Sequence, residues 1–207
     1  MKRSLTFLIL SSMLLGTRAF AQIPVKGPER ISIGGTAGLF RISLNDFDKF
    51  YGGRSGLTWG GHISYRISTP YNVVFKYRRF NKSSDFQNNG QRFNLDWKEE
   101  WFNIGLRYMG ASGEGLSNFF SFGFAFFSIV EKGGQSVISN NAFTNPSKKT
   151  NAGGFFIDLG FNYPLMSRLA FLFELEITSA GVEGKSGFEG SSVGGFLFNV
   201  GLAAFLF

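Results

Sequence analysis

The sequence predicts an all-β protein, an eight-stranded antiparallel up-and-down transmembrane β-barrel. Large apolar residues alternate with small or polar ones in about eight segments of roughly ten residues, the pattern of membrane-spanning barrel strands. The links between these segments are alternately long and short. The composition, with 27 Phe and 28 Gly in 207 residues, fits aromatic rings that face lipid and glycines that face a narrow lumen.

The N-terminal region has the organisation of a secretory signal peptide. A basic pair at positions 2–3 precedes an apolar run at 5–15, which is too short to span a bilayer, and a small-x-small cleavage motif follows at 19–21. We therefore expect a signal peptide at 1–21 and an outer-membrane β-barrel domain at 22–207. Cleavage would leave 207 − 21 = 186 residues and, with three basic residues lost, a net charge of 7 − 3 = +4.

Each predicted strand has one apolar face, on which every second side chain is large. In strand order these residues are Ile31, Ile33 and Leu39; Leu57, Trp59, Ile63, Tyr65 and Ile67; Val73, Phe75 and Tyr77; Phe102, Ile104, Leu106 and Tyr108; Phe120, Phe122, Phe124 and Phe126; Phe155, Ile157, Leu159, Phe161 and Tyr163; Leu169, Phe171, Phe173, Leu175 and Ile177; and Phe196, Phe198, Val200 and Leu202.

The connections fit a barrel with short turns at one end and long loops at the other. The long polar links are 41–54, 82–98, 131–152 and 179–191, and the short ones are 68–71, 109–118 and 164–167. Short turns are typical of the periplasmic side and long loops of the external side. Alternation resumes at Phe93, Leu95 and Trp97, which predicts that strands three and four extend as a hairpin above the membrane.

The volume of the apolar face decides which way it points. In a soluble, lipocalin-like barrel this face would turn inward, but the interior of an eight-stranded barrel is only just wide enough to be filled by side chains. Several dozen large apolar residues would not fit there. We therefore expect the apolar face to contact lipid and the polar face to line the lumen.

Four tyrosines are expected to form an aromatic belt at the periplasmic boundary. Tyr65, Tyr108 and Tyr163 end strands two, four and six on the apolar face, just before short turns, and Tyr71 follows the first turn. Tyr side chains gather at the boundary between membrane and water, where the apolar ring contacts lipid and the hydroxyl contacts water.

Ionisable residues on the polar face predict a charge network inside the lumen. Its members would be Arg66, Lys76, Arg78 and Arg107 on strands two to four, and Asp158, Glu174 and Glu176 on strands six and seven. Because buried charges persist only when paired, we expect Lys76 and Arg78 to meet the carboxylates near mid-height and to plug the lumen. Arg66 and Arg107 are expected nearer the periplasmic end. The alternative is unpaired groups hydrated by lumen water.

No catalytic, metal or cofactor site is expected. His62 and Ser64 share one face of a strand, and a His–Ser pair with a carboxylate could activate a serine nucleophile, but the alternation turns both into the lumen. With one His and no Cys, metal ligands are restricted to carboxylates, which the cations already engage. The pI near 9.8 is not accompanied by a nucleic-acid-binding motif, so no nucleic acid is expected as a partner.

The signal peptide, amphipathic strands, tyrosine belt and terminal Phe207 together resemble the small outer-membrane β-barrel superfamily, the porin-like proteins typified by the OmpA and OmpX membrane domains. The resemblance implies the bacterial outer membrane as location, and Phe207 as a signal read by the outer-membrane assembly machinery. Phe207 falls on the parity opposite to the apolar set of its strand, and a bulge near 203–204 would restore the match. The His62-x-Ser64 element is similar to that of lipid A deacylases, although Tyr65 stands where those show Asn.

We expect a non-enzymatic barrel whose lumen is filled by side chains and whose loops serve a structural or surface-interaction role. Loop lysines would contact membrane lipids, including lipopolysaccharide, and an unidentified surface partner could bind by strand addition. The alternatives are a narrow pore or carrier for small solutes and a lipid A-modifying hydrolase that uses His62 and Ser64.

Overall fold

Eight strands and one short helix form the computed structural model, which describes residues 30–44, 47–88, 91–112, 116–133, 147–182 and 192–206. The strands are β1 (Ile31–Ile42), β2 (Ser55–Ser68), β3 (Tyr71–Asn88), β4 (Gln91–Ser112), β5 (Leu116–Lys132), β6 (Ser147–Met166), β7 (Leu169–Gly181) and β8 (Ser192–Leu206); the helix α1 (Phe47–Tyr51) lies between β1 and β2. The predicted signal peptide at 1–21 lies outside the described residues.

The strands close into a barrel in which each is antiparallel to its two sequence neighbours and β8 returns to β1. Pairing of β1 with β8 runs from Ile31 opposite Leu206 to Ile42 opposite Gly195 without a shift of register. The eight-stranded antiparallel up-and-down barrel is therefore confirmed. None of the described residues forms a membrane-spanning helix.

The large apolar side chains of the alternating segments point outward. Leu57, Phe122 and Phe124 are 76%, 52% and 68% exposed, whereas Arg78 and Glu174 are fully buried. An exterior of this kind is stable against hydrocarbon and not against water, so the barrel spans a membrane. The predicted orientation of the two faces is confirmed.

Four neighbouring strands are longer than the rest. β3 to β6 have 18, 22, 17 and 20 residues, whereas β1, β2, β7 and β8 have 12, 14, 13 and 15. Their surplus forms a protruding sheet, made of residues 81–88, 91–100, 128–132 and 147–151, at the end of the barrel opposite the short turns. We call this the loop end and the opposite end the short-turn end.

The link at 82–98 is therefore not a loop. Phe86 pairs with Phe93 and Lys82 with Trp97, so the backbone groups of this segment are satisfied by a ladder, and the hairpin predicted from Phe93, Leu95 and Trp97 is present. Within the described residues, the ladder between β2 and β3 stops at Phe80, and that between β6 and β7 stops at Gly153. The protruding sheet thus has two edges beyond the closed barrel.

The lumen differs between its two ends. Towards the short-turn end it is polar, as expected, but towards the loop end it is filled by an aromatic plug whose side chains are at most 3% exposed: Phe40, Phe47, Tyr51, Phe80, Trp97, Trp101 and Phe127. The prediction that the lumen is the polar side is wrong for this half. At this level the strands still enclose a volume, and closely packed apolar side chains fill it.

Candidate functional site: a charge cluster inside the barrel

Two walls of the lumen contribute opposite charges to one cluster. Lys76 and Arg78 lie two residues apart on β3, a spacing that directs both side chains into the lumen. Arg107 joins them from β4. The opposite wall contributes three carboxylates, Asp158 from β6 and Glu174 and Glu176 from β7. Together the two walls supply Lys76, Arg78, Arg107, Asp158, Glu174 and Glu176. We call these six residues the charge cluster.

Lys76 lies at the centre of the charge cluster. Its ammonium is 2.9 Å from Glu174 Oε2 and 2.9 Å from Glu176 Oε2, and it also contacts Asp158 Oδ2. All four side chains are fully buried. An ammonium has three donors, so the three carboxylates use its whole hydrogen-bonding capacity.

The two arginines extend the cluster on either side of Lys76. Arg78 Nη2 is 2.5 Å from Glu174 Oε1 and 4.0 Å from Glu176 Oε2. Arg107 Nη2 is 3.5 Å from Glu174 Oε2 and 3.7 Å from Asp158 Oδ2. Glu174 therefore lies within ion-pair distance of all three cations.

Neutral groups donate hydrogen bonds to the same carboxylates. Asn103 Nδ2 and Trp101 Nε1 donate to Glu176 Oε1 over 2.9 Å and 3.4 Å. Asn199 Nδ2 donates to Glu174 Oε1 over 3.3 Å. Three cations thus face three carboxylates, and Glu174 and Glu176 receive additional hydrogen bonds from neutral donors, which favours the burial of their charges.

Aromatic rings enclose the cluster where polar partners do not. The Lys76 ammonium lies 5.1 Å from the centroid of Phe156, and the Arg107 guanidinium lies 3.9 Å from that of Phe119. Phe156 also lies on the parity that the sequence assigns to small or polar residues, and its ring fits because Gly105, two strands away on β4, has no side chain. The rings exclude water and so strengthen the ion pairs that they surround.

The structure brings together six of the seven charged residues that the sequence places in the lumen. Arg107, expected nearer the short-turn end, reaches the cluster. Arg66 does not join it: the residue is half-buried at the short-turn end of β2, opposite Asn72, and its backbone N–H donates to the Arg30 carbonyl. Sequence analysis missed Asn103 and Asn199, although both lie on the lumen parity of their strands.

The carboxylates of Asp158, Glu174 and Glu176 lie close enough together to resemble a metal site. The Lys76 ammonium contacts all three of them, in the position that a cation would take. The cluster is therefore described by ion pairing within the chain.

His62 and Ser64 face the lumen, on the side of β2 that the alternation predicts. Ser32 Oγ is 3.4 Å from His62 Nε2 and 3.1 Å from Ser64 Oγ, so a strand β1 hydroxyl lies between the two. The side chains of all three are less than a tenth exposed. The pair has no access from the lipid side, where a hydrolase acting on a membrane lipid would need its nucleophile.

The predicted aromatic belt points outward near the short turns. Tyr65, Tyr71, Tyr108 and Tyr163 are 46%, 50%, 37% and 55% exposed. Tyr71 and Tyr108 are ladder partners whose ring centroids lie 5.9 Å apart. Their assignment to the periplasmic boundary remains a prediction.

Phe207 lies outside the described residues. β8 pairs with β1 up to Leu206 and with β7 up to Ala204, each in constant register, with Ala203 opposite Ala170 and Ala204 opposite Ile33. The bulge that would bring Phe207 onto the apolar parity is therefore not found near 203–204.

Glu99 is a further buried carboxyl, and it lies within the aromatic plug. Glu99 lies on β4 between Lys98 and Glu100, whose side chains face outward as an ion pair of 2.7 Å, so this level is above the membrane-spanning band. Trp97 Nε1 donates to Glu99 Oε2 over 3.1 Å, and the backbone N–H of Gly194 donates to the same carboxyl. Burial raises the pKa of Glu99 to about 7, although these hydrogen bonds lower it.

Solved structures show how this architecture compares with known proteins. No family model and no curated protein sequence matches the chain. The structure is similar to Neisserial surface protein A (NspA), with 10% identity, a TM-score of 0.58 and coverage of 84% of this chain and 96% of that one. For OprG from Pseudomonas aeruginosa the identity is 15%, the TM-score 0.54 and the coverage 86% and 96%. For Ail of Yersinia pestis, in complex with the heparin analogue sucrose octasulfate, the values are 12%, 0.50, 84% and 98%.

The closed topology, the apolar exterior and this similarity define the class. The protein has the fold of the small eight-stranded bacterial outer-membrane β-barrels. At these levels of identity the similarity concerns the fold, and the interior charge cluster is described from this chain's own residues.

The charge cluster predicts a large stability effect for one isosteric change. Glu174→Gln removes the carboxylate that faces all three cations and leaves buried positive charge unpaired, so we expect the unfolding free energy to fall by about 3 kcal/mol. Glu176→Gln should act in the same direction. The measurement is urea unfolding of the purified barrel in lipid vesicles, followed by tryptophan fluorescence.

Glu100→Gln is the matched control. Glu100 pairs with Lys98 at the surface, where such pairs contribute less than about 1 kcal/mol. Equal unfolding midpoints for the Glu174, Glu176 and Glu100 variants would contradict the structural importance of the cluster.

Glu99 predicts a pH dependence. Because the pKa of Glu99 is higher in the folded than in the unfolded chain, the folded state favours the protonated carboxyl. The contribution of this carboxyl to stability is present below its ordinary pKa of 4.5 and is lost as the pH rises through about 7. Glu99→Gln should therefore stabilise the barrel relative to wild type at pH 8, by up to about 3 kcal/mol, and have little effect at pH 4. The same urea titrations at both pH values test this, and a difference that does not change with pH would contradict it.

Proposed function

We propose that the protein is a non-enzymatic surface-interaction protein of the bacterial outer membrane, in which the barrel is a closed anchor and the protruding sheet is presented to the outside. The observation that carries the proposal is the combination of a filled lumen with a sheet that rises beyond the membrane-spanning band on one side only. A pore requires an open lumen, and a hydrolase requires an accessible nucleophile.

Two layers of side chains support the closed anchor. The charge cluster connects β3 and β4 with β6 and β7 across the lumen. Above it, ring contacts continue from wall to wall, with centroid distances of 5.1 Å between Phe40 and Trp101 and 5.6 Å between Trp101 and Phe127. Helix α1 covers the plug, since Phe47 lies 5.2 Å from Trp97. Close packing of this kind leaves little room for a solute.

The protruding sheet supports a role in surface interaction. Exposed sheet edges can accept an additional strand, because their unpaired N–H and C=O groups bind an extended segment of another chain. Charged residues on the outer face of the sheet, such as Asp96 and Lys149, keep it soluble and give a partner polar contacts. A polyanion is one candidate: Ail, which shares the fold, is known in complex with a heparin analogue.

The remaining partners follow from the position of the barrel in the membrane. Arg79 and Lys98 face outward around Glu100, at 3.8 Å and 2.7 Å from its carboxylate, just above the apolar band. Cations at this level would contact anionic lipids, including lipopolysaccharide. We retain as proposals a cleaved signal peptide at 1–21 and recognition of Phe207 by the assembly machinery.

Planar-bilayer recordings separate the closed anchor from a pore. The wild-type protein should give no stable conductance steps. The double variant Trp101→Ala with Phe127→Ala removes two stacked rings from the plug and should conduct at least intermittently. The control is Phe126→Ala, which removes an outward ring from the same strand as Phe127 and should give no conductance steps. Stable steps from the wild-type protein would favour the narrow pore or carrier.

Site-directed labelling tests the orientation on which surface interaction depends. The chain has no Cys, so an introduced Cys would be the only thiol in the protein that a maleimide could label. Lys149→Cys, on the protruding sheet, should react with a membrane-impermeant maleimide on intact cells. Arg168→Cys, in the turn between β6 and β7, should react only after the outer membrane is permeabilised. The reverse pattern would overturn the proposal.

A further inference from the structure

An open groove of about 440 Å³ lies on the outer face of β4, β5 and β6. Phe102, Phe126 and Gly153 are consecutive ladder partners across these strands and form its lower part. Ser128 and Asn151, one outward position nearer the loop end, form its upper lip. The groove therefore crosses the boundary between the apolar band and the polar protruding sheet.

A missing side chain creates the lower part of the groove. Gly153 occupies an outward position, and a Cβ placed there would meet no atom within 4 Å. Its ladder partner on β7, Gly181, is equally open. The rings of Phe102 and Phe126, 58% and 55% exposed, stand beside this bare strip of backbone. The result is an apolar slot with one aromatic wall, suited to a single alkyl chain.

Cationic side chains lie directly above the lip. The next outward row contains Lys98, Val130 and Lys149 as ladder partners. Lys149 is exposed, and the Lys98 side chain is 37% exposed beside Glu100. From the slot upwards, a ligand would thus meet apolar surface, then the Ser128 hydroxyl and the Asn151 amide beside the Glu100 carboxylate, then the two lysines, of which Lys149 is the more exposed.

We propose that this groove is a binding site for one molecule of an anionic outer-leaflet lipid of the lipopolysaccharide class. One acyl chain lies in the slot over Gly153, the amide or ester region contacts Ser128 and Asn151, and a headgroup phosphate contacts Lys149 and Lys98. The order of these surfaces matches the order of groups along such a lipid, and the charges are complementary. The proposal rests on the proposed function in one respect, the outward orientation of the loop end.

The size of the groove argues against the other occupant of an outer face, a second copy of the chain. A stable interface between two proteins needs about 800 Å² on each partner, with a packed apolar centre. A slot beside two rings, with a lip of two polar residues, fits a chain and a headgroup instead.

Native mass spectrometry of the barrel refolded in zwitterionic detergent tests the site with lipid A and phosphatidylethanolamine as probes. The wild-type protein should retain one lipid A and bind phosphatidylethanolamine about tenfold more weakly, because the latter has no net charge. Gly153→Leu fills the slot and should lower lipid A binding about tenfold. Lys149→Ser should lower it less, and only for lipid A.

Gly35→Leu is the matched control, since Gly35 is also an outward glycine with no atom near its Cβ position, but lies on β1. Its lipid A binding should equal that of the wild type, and unboiled gel migration verifies that each variant is folded. Equal binding by the Gly153 and wild-type proteins, or an equal loss in the Gly35 variant, would overturn the site. Equal retention of both lipids would overturn the assigned headgroup. Detergent binding does not depend on orientation, so failure here and failure of the labelling experiment are distinguishable.

Discussion

The ion pairs between Lys76 and the three carboxylates of the opposite wall are the constraint on which the interior depends. Each of the six charged side chains would be costly to bury alone, and each is tolerated because the others are held at short distance. The barrel can hold them there because hydrogen-bonded strands fix both walls. Closure of the sheet and pairing of the charges therefore depend on each other.

Much of the fold could be predicted from local periodicity, because successive side chains of a barrel strand point alternately to lipid and to the lumen. Tyr65 and Phe122 point outward as their parity requires. Parity alone did not predict which positions inside the lumen hold large side chains. Phe127 and Phe156 lie on the lumen parity and are large, and the Phe156 ring fits because Gly105 near it has no side chain. Sequence periodicity records the face on which a residue lies, but not how much room distant strands leave inside the barrel.

The candidate site could be predicted in its members but not in its contacts. Charges on the lumen parity of strands three, four, six and seven were sufficient to name the residues of the cluster. That Arg107 reaches Glu174, while Arg66 does not join, depends on the stagger between distant strands, which no local pattern specifies. Glu99 was missed for a related reason: between Lys98 and Glu100 it reads as one more charge of a solvated segment, yet it points into the plug.

The unequal strand lengths give the molecule a lopsided rim. On the side of β1, β2, β7 and β8 the strands end near the bilayer, and of the described residues α1 and its adjoining segments lie above them. A macromolecule that docks on the taller side would therefore be held sideways, with its long axis along the plane of the membrane. Such a geometry favours contacts within the same envelope or with a closely apposed surface over contacts with a molecule arriving from directly above.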